Sequence, residues 1–436
     1  MKGKLKLKSL AALLVSAFLV TPGYANEGPV PKGVPHLDHV FVIMMENHGY
    51  SQIVGNPQAP FSNYLFKNAN IAKNYFAVGH PSLTNYLEVN GGSNFGVRSD
   101  NNPDWGNTNC QTNLSNGSVN TDFPASPDVC PIWGTGTDAA TPAIDLTNEC
   151  PDPSKTDPCP PGILDLDGTL SIPAASNISG KTIADQLTDY GKSWKSYQES
   201  LPSTGAYKVN FSDGYFTDAS NIPAVIAGET QTLIDLYAAK HDPFVYFRSV
   251  EEHQIDHIVG FEGKHGLYDD LASGNVPEYS FIAPNQCNDQ HGRGNAGPQC
   301  AEDPNDNGTQ TGLNPALIFL GDEALRTIVK AIKTSPAWSK GNNAIVILWD
   351  ENDYSFSPIN NRVLTIVDTN YGPQGVQSNN FYTHFSLLRT IEGGLGLPCL
   401  NHACDASTKV MSDLFAAGKD HDRDNDGDDD SGHGNR

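Results

Sequence analysis

Acidic and amide side chains directly follow two apolar runs of the sequence. Glu46 and Asn47 come after the run His39–Met45, and Asp350 and Glu351 come after a second apolar run. Short, nearly uncharged runs of this kind predict strands that are buried on both faces. In open α/β sheets, ligands bind at the carboxyl ends of such strands. The four side chains are therefore expected at the edge of the sheet where a ligand would bind.

These residue types have two chemical uses at a strand end. Glu46 and Asn47 could supply oxygen ligands to a divalent cation, or they could cap the next turn, and taken alone the cap is the commoner use. Asp350 and Glu351 change that balance because buried carboxylates repel one another unless a cation compensates them. The two strand ends together favour a cation site over a pair of caps.

A serine stands where a helix is expected to begin. Ser82 opens the stretch SLTNYL at 82–87, with GGS following at 91–93. A hydroxyl at a helix amino terminus faces free N–H groups and the positive end of the helix dipole, which favours an anion beside it. Serine is also a favoured N-cap, so the position alone fits either use.

Two further segments carry histidines. Asp289 and His291 follow the predicted strand 279–283 and so also emerge at a carboxyl end, whereas His241 precedes the predicted strand 244–247. A histidine at a strand end can bind metal, hold a phosphate oxygen or protonate a leaving group. Taken singly, each histidine is more often a structural residue.

Alternating strand-like and helix-like segments must position these side chains. This alternation predicts an α/β fold with a mainly parallel central sheet flanked by helices. The predicted strands are 40–45, 193–197, 244–247, 279–283, 344–349 and 363–367. The predicted helices are 182–187, 230–240, 316–332 and 385–391.

The ends of the chain and one internal region differ from this pattern. Residues 1–25, with a basic start, an apolar middle and Ala25 at the end, have the features of a cleaved secretory signal peptide. We expect one domain over 26–415, with an insertion or cap at about 100–176 that is either a site-mouth element or a solvated excursion. The Asp-rich stretch 416–436 reads as an acidic, disordered tail.

The charge and the cysteine content of the chain limit the kinds of partner and the cellular compartment that we expect. The formal net charge is −23, and removal of the signal segment takes four lysines and no acid with it. Such a chain repels nucleic acid and anionic membranes at long range, so a nucleic-acid partner is not expected. A stable membrane anchor is not expected either, because the apolar stretch of the signal segment is too short to span a bilayer comfortably. Eight cysteines in an exported chain predict disulfides, and the nearest neighbours would pair Cys150 with Cys159, Cys287 with Cys300 and Cys399 with Cys404.

Five motifs make the prediction specific. They are MMENH at 44–48, HPSLTNYL at 80–87, CNDQH at 287–291, WDE at 349–351 and THFSLLRTIE at 383–392. In this order they resemble the bacterial phosphoesterase family, which contains secreted acid phosphatases and phospholipases C and belongs to the alkaline phosphatase superfamily. The resemblance implies an alkaline-phosphatase-like fold and a hydrolase that acts on phosphate esters.

The resemblance also implies roles for individual residues. It implies one divalent metal ion held by Glu46, Asn47, Asp350 and Glu351, with Ser82 as both ligand and nucleophile. A cation there would lower the pKa of the serine hydroxyl, and a phosphoserine intermediate would follow. His291 would protonate the leaving alcohol and then act as the base for water. The expected substrate-binding residues are Asn85, His241, Asp289 and His384.

Departures from the family pattern bear on the substrate. The phospholipase C and larger acid phosphatase branches tend to have two adjacent aspartates where this chain has Asp350 and Glu351, and proline in place of Thr84. Many of them also use threonine as nucleophile. The pattern here resembles the smaller phosphatase branch, which favours a small phosphomonoester over a phospholipid diester.

Two alternatives and the metal identity stay open at this point. One alternative is a phospholipase C that cleaves phospholipid diesters, and the other is a non-catalytic secreted calcium-binding protein. Carboxylate, amide and hydroxyl ligands favour Ca, Mg or Mn, whereas Zn or Fe would be expected to recruit more histidines.

Overall fold

The structure is a computed structural model, and it describes nine stretches of the chain: 27–30, 32–79, 82–95, 178, 180–201, 236–293, 296–305, 308–352 and 361–416. The strands in these stretches are β1 (Glu27–Gly28), β2 (His39–Met45), β3 (Asn70–Phe76), β4 (Trp194–Gln198), β5 (Ile258–Gly260), β6 (Tyr279–Ala283), β7 (Asn343–Trp349), β8 (Thr365–Thr369), β9 (Gln377–Thr383) and β10 (Cys399–Leu400). The α-helices are α1 (Tyr50–Ile53), α2 (Pro60–Asn68), α3 (Ser82–Gly91), α4 (Ile183–Asp189), α5 (Arg248–His253), α6 (Leu267–Ser273), α7 (Pro315–Thr334) and α8 (His384–Leu395).

An eight-stranded sheet organises the described part of the chain. Its strand order is β5-β4-β6-β2-β7-β8-β3-β9, and β8 alone runs antiparallel to its neighbours within it. Parallel strands need crossover connections, which the helices provide. The predicted α/β fold with a mainly parallel central sheet flanked by helices is confirmed.

The central strands β2 and β7 owe their place to their composition. In β7 every residue is buried, and in β2 every residue except His39 is buried. A strand without a polar face cannot lie at a solvated edge, so both strands take central positions with helices over the sheet. They pair in parallel from His39 opposite Asn343 to Met45 opposite Trp349. Their carboxyl ends are therefore level with each other.

The long helix α7 shows how the flanking layer forms. Pro315 occupies its first turn, where a missing N–H costs nothing, and the Asn314 side chain accepts from the backbone N–H of Ala316 at 3.1 Å. Its buried residues recur at helical spacing along one face. Burial of that face, which includes contacts with α2 and α6, stabilises the helix far more than its propensity does.

One predicted strand is wrong, and one predicted helix is wrong over the part that the structure describes. Residues 244–246 of the predicted strand 244–247 lie instead in a buried 3-10 helix, Pro243–Tyr246, and Phe247 follows the helix in extended conformation. Its apolar run is too short to distinguish a strand from a buried turn, and proline at the first position favours a helical turn. The predicted helix 230–240 has its first six residues outside the described ranges, and its end belongs to a 3-10 turn, Ala239–His241.

Two of the three predicted disulfides are confirmed, Cys287–Cys300 and Cys399–Cys404. The pair Cys150 and Cys159, the signal segment 1–25 and the inserted region at about 100–176 lie outside the described residues, as does nearly all of the acidic tail. Among the helices that the structure describes, none combines the length and apolar character that crossing a bilayer requires.

Candidate active site

Backbone pairing brings three acidic strand ends together. Because β2 and β7 end level, Glu46 and Asp350 are neighbours, and the N–H of Asp350 donates to the carbonyl of Met45 at 3.0 Å. The N–H of Glu46 in turn donates to the carbonyl of Asp289 at 2.8 Å, in the loop after β6. The sheet therefore sets the spacing of the three carboxylates before any side-chain contact forms.

Ser82 lies between two of the carboxylates. It is the first residue of α3, a helix in which all ten residues are buried. Its Oγ lies 3.1 Å from Oε2 of Glu46 and 3.4 Å from Oε1 of Glu351. One hydroxyl proton can serve one of these oxygens at a time. Two ionised carboxylates around a single hydroxyl repel each other, so the arrangement calls for a compensating cation.

Burial raises the pKa values of two of these carboxyls. Burial, followed by the charge of Asp350, raises the pKa of Glu46 well above its usual range. Burial raises the pKa of Asp350 to about 6, although backbone N–H donors oppose that rise. Within the described residues, Oδ2 of Asp350 is buried and accepts no hydrogen bond. Buried, crowded, under-satisfied oxygens of this kind fit a hard divalent cation.

Asn47 and Asn85 both support this cluster. Asn47 adopts a left-handed backbone (φ 60°), and its N–H donates to Oδ1 of Asp350 at 2.8 Å. The amide of Asn85, one turn after Ser82, donates to Oε2 of Glu351 at 2.9 Å and to the carbonyl of Gly79 at 3.0 Å. Both amide hydrogens of Asn85 are thus used in orienting Glu351 and the chain before α3.

His241 bridges two carboxylates on the other side of Glu46. Its Nε2 lies 3.1 Å from Oε1 of Glu46, and its Nδ1 lies 3.1 Å from Oδ2 of Asp289. The ring stacks on Tyr86 with centroids 5.2 Å apart and planes at 8°. Burial, then the charges of Lys240 and His291, lowers the pKa of His241 well below its usual range. The stacked ring is therefore fixed between the two acids.

His291 and Lys240 complete this side of the site. The N–H of His291 donates to Oδ1 of Asp289 at 2.7 Å, and its Nδ1 lies 2.9 Å from the carbonyl of Gly292. A carbonyl only accepts, so Nδ1 carries the proton and Nε2 carries a lone pair. That Nε2 lies 3.1 Å from Nζ of Lys240. The sequence prediction did not include Lys240, although a lysine beside His241 in so acidic a chain was a usable signal.

The site has two halves that share Glu46. We call Ser82, Asn85, Asp350 and Glu351, with Oε2 of Glu46, the serine half. We call Lys240, His241, Asp289 and His291, with Oε1 of Glu46, the histidine half. In the histidine half, ligand atoms of Glu46, His241 and His291 all lie within 4.8 Å of one another, as metal ligands do.

His384, predicted to bind substrate, lies behind the carboxylates. Its Nε2 lies 2.8 Å from the carbonyl of Asp350, and its Nδ1 lies 3.0 Å from the hydroxyl of Tyr75. Nε2 must therefore donate to the carbonyl, while Nδ1 accepts from the tyrosine. Burial lowers the pKa of His384 to about 4, which keeps the ring neutral. Its contacts suit the positioning of Asp350 rather than contact with a substrate.

His48 also supports the site, through the backbone of Glu46. Its Nδ1 lies 2.8 Å from the carbonyl of Glu46, and its Nε2 lies 2.9 Å from Oδ2 of Asp303. These bonds fix the turn that follows β2, which orients Glu46 and Asn47.

A second acidic group, His265 with Asp269 and Asp270, lies elsewhere. Lys195 pairs with Asp270 there at 2.5 Å and so compensates the charge of that acid.

Comparison with known proteins gives a family match. The model of the phosphoesterase family matches residues 56–303, which is more than half of the chain. Acid phosphatases of Aspergillus fumigatus and Penicillium chrysogenum are 27% and 28% identical over 54% and 57% of this chain. The chain spans 43% and 49% of those proteins, a little under half their length.

Two other proteins match over more of their length. A phosphatidylinositol-3-phosphatase of Mycobacterium tuberculosis is 23% identical over 91% of this chain and 88% of its own. Among solved structures, a protein of the alkaline phosphatase superfamily from Vibrio parahaemolyticus superposes with a TM-score of 0.43 at 12% identity, covering 87% of this chain and 72% of that one.

Proposed function

The chain belongs to the phosphoesterase family, and from this premise we propose that it is a metal-dependent phosphomonoesterase that works through a phosphoserine at Ser82. The observation that carries the proposal is the position of the Ser82 hydroxyl. It lies at the buried start of α3, within 3.1 Å of one carboxylate and 3.4 Å of another. A buried structural serine has no need of two acids around it, because each ionised acid costs desolvation energy.

One divalent metal ion would be held by the serine half. Its ligands would be the oxygens of Glu46, Asp350 and Glu351, together with Oγ of Ser82 and the side chain of Asn47. When bound, such an ion neutralises the carboxylates and phosphate oxygens and lowers the pKa of the serine hydroxyl. All-oxygen ligands favour Ca, Mg or Mn, and imidazole nitrogens close to Glu46 keep Zn or Fe open.

Ser82 performs the bond exchange. Its hydroxyl proton passes to a neighbouring carboxylate, and Oγ attacks phosphorus as the bond from phosphorus to the leaving alcohol breaks. The leaving oxygen takes up one proton and departs as the alcohol. Water then attacks the phosphoserine, and the bond between phosphorus and Oγ breaks. Phosphate is released and the serine is regenerated.

His291 is the proposed proton donor for the leaving oxygen and the base for water in the second step. Because its Nδ1 is bound to the carbonyl of Gly292, the transferred proton must reside on Nε2, which has to take up that proton before it gives it to the leaving oxygen and regains one from the attacking water in the second step. His241 and Asp289 would position the phosphoryl group beside it. Asn85 and His384 act indirectly, by orienting Glu351 and Asp350.

The names of the relatives favour a monoester. The two fungal acid phosphatases support a small phosphomonoester as substrate. The Mycobacterium tuberculosis relative matches over nearly the whole of both chains and supports a second candidate, a phosphate carried by a phosphatidylinositol. A phospholipid diester has no comparable support among these relatives. We also propose export through the segment 1–25 and no nucleic-acid partner, in keeping with the acidic charge.

The test is turnover of an aryl phosphate by the purified protein and by Ser82→Ala. We expect the variant to lose at least about a thousandfold in kcat/KM, because nucleophile removal abolishes the covalent route. Ser339→Ala, which changes a serine outside the site, should be unaffected. Equal activity of Ser82→Ala and the unmodified protein would refute the proposal. A panel that adds a phosphorylated inositol lipid and a phosphorylcholine diester separates the substrate candidates.

A further inference from the structure

The histidine half has the ligand arrangement of a metal site and contains an ammonium. Carboxylate and imidazole ligand atoms of Glu46, His241 and His291 lie within 4.8 Å of one another. Nε2 of His291 presents a lone pair, because Nδ1 holds the ring proton against the carbonyl of Gly292. The group that meets this lone pair at 3.1 Å is Nζ of Lys240.

An ammonium and a metal ion cannot share that lone pair. A metal bound to an imidazole nitrogen lies about 2.0–2.1 Å from it, along the lone-pair direction. Nζ of Lys240 stands 3.1 Å from Nε2 of His291, so a metal ion would have to displace it. The ammonium of lysine can only donate hydrogen bonds, so Lys240 is the donor in this contact and Nε2 of His291 is the acceptor.

Lys240 is also held in a position where its charge acts on the site. The residue is 3% exposed, in the 3-10 turn Ala239–His241 whose next residue is His241 itself. A buried ammonium persists where acids compensate it, and its charge opposes the rise that burial causes in the pKa of both Glu46 and Asp350. The same charge contributes to the lowered pKa of His241. The ammonium therefore acts electrostatically on both halves of the site.

We propose that the ammonium of Lys240 is the built-in cation of the histidine half, occupying the place of a second metal ion and binding the phosphoryl oxygens of the substrate. This inference rests on the proposed phosphomonoesterase function and adds a substrate-binding residue to it. An ammonium has three donors and a full positive charge, which suits the oxygens of a phosphate dianion. With its own cation in one half, the site needs one external metal ion rather than two.

The test combines metal analysis with phosphate binding. Elemental analysis of the full-length mature protein should find one divalent ion per chain. Calorimetry with inorganic phosphate at saturating metal should show that Lys240→Met binds phosphate at least about tenfold more weakly, while Lys240→Arg retains most of the affinity. Lys192→Met, which removes a lysine paired with Glu278 away from the site, is the matched control and should bind phosphate normally.

Two results would overturn the inference. One is two metal ions per chain in the unmodified protein, and the other is unchanged phosphate affinity in Lys240→Met. Both readouts are independent of turnover, so they are separate from a failure of the proposed function, which would appear as an unmodified protein that hydrolyses no phosphate ester. The variants keep a similar side-chain length, and thermal unfolding verifies that each is folded before it is compared.

Discussion

The serine half and the histidine half place different groups around the same carboxylate, that of Glu46. In the serine half, a hydroxyl stands between Glu46 and Glu351, with Asp350 beside them. In the histidine half, the other oxygen of Glu46 faces the ring of His241, and Lys240 brings an ammonium to His291. One half concentrates negative charge, and the other carries its own positive charge.

This difference indicates how the work is divided. A group of carboxylates is stable in a buried site when an external cation binds, so the serine half suits metal-assisted activation of a nucleophile. An ammonium and two imidazoles suit recognition of an anion and transfer of protons. The two halves are coupled because Glu46 belongs to both, and a change in one should therefore be measurable in the other.

The largest expected effect is that of metal removal on the serine half. Chelation should lower turnover of an aryl phosphate by about a thousandfold, because the ion contributes several kcal/mol of charge stabilisation. Phosphate binding by the histidine half should survive in weakened form, which calorimetry on the metal-free protein would measure. Separate addition of Ca, Mg, Mn, Zn and Fe salts identifies the ion that restores activity. Full activity after exhaustive chelation would contradict the proposed metal dependence of the serine half.

A smaller effect is expected from His384, which acts on the serine half through a backbone carbonyl. His384→Gln should weaken metal binding about tenfold, as is usual when an outer-shell partner is lost, and calorimetric titration with the metal measures it. His39→Gln is the matched control, since His39 also bonds a carbonyl, that of Pro277, at the amino end of β2. Equal metal affinity in both variants would assign His384 a purely structural role.

The smallest expected effect is a pH dependence of the stability that bound metal adds to the folded protein. Burial raises the pKa of Asp350 from 3.8 to about 6, so the metal-free folded protein holds a proton that the unfolded chain has already released. This contribution to stability is present below about pH 4 and is lost as the pH rises through 6. Metal binding requires the ionised carboxyl and therefore strengthens over the same interval.

Thermal unfolding with and without metal tests the direction of this pH dependence. The rise in Tm on adding metal should be larger at pH 7 than at pH 4.5. A rise that is equal at the two pH values, or larger at pH 4.5, would show that Asp350 does not bind the ion. Measurement of the metal-dependent difference cancels the titration of groups elsewhere in the acidic chain.

The strand ends of the site could be predicted from the sequence because their signals are local. The uncharged runs of β2 and β7 indicate burial on both faces, and central parallel strands necessarily bring Glu46 and Asp350 to one edge. The position of Ser82 at a helix start is likewise local. Two disulfides joining near neighbours were also predictable from their spacing.

Other features depend on tertiary contacts that leave little local signal. The strands β3 and β9 were not predicted, because several asparagines interrupt their apolar pattern and β9 is partly exposed. Lys240 meets His291 across 51 residues of sequence, so this contact follows from packing, and the only local signal for Lys240 is its place beside His241. His384 carries a family resemblance but gives no local indication that both ring nitrogens are used behind the carboxylates.

The most direct test of the division between the halves is to trap the phosphorylated enzyme. The metal-loaded protein is mixed with an aryl phosphate and quenched within the first turnovers, in acid to preserve phosphoserine and in parallel in alkali to preserve phosphohistidine, and both samples are mapped by peptide mass spectrometry. We predict one phosphoryl group on Ser82, present with metal and absent after chelation. Phosphoryl transfer to a histidine of the other half, or rapid turnover with no phosphorylated Ser82 at any quench time, would contradict the account.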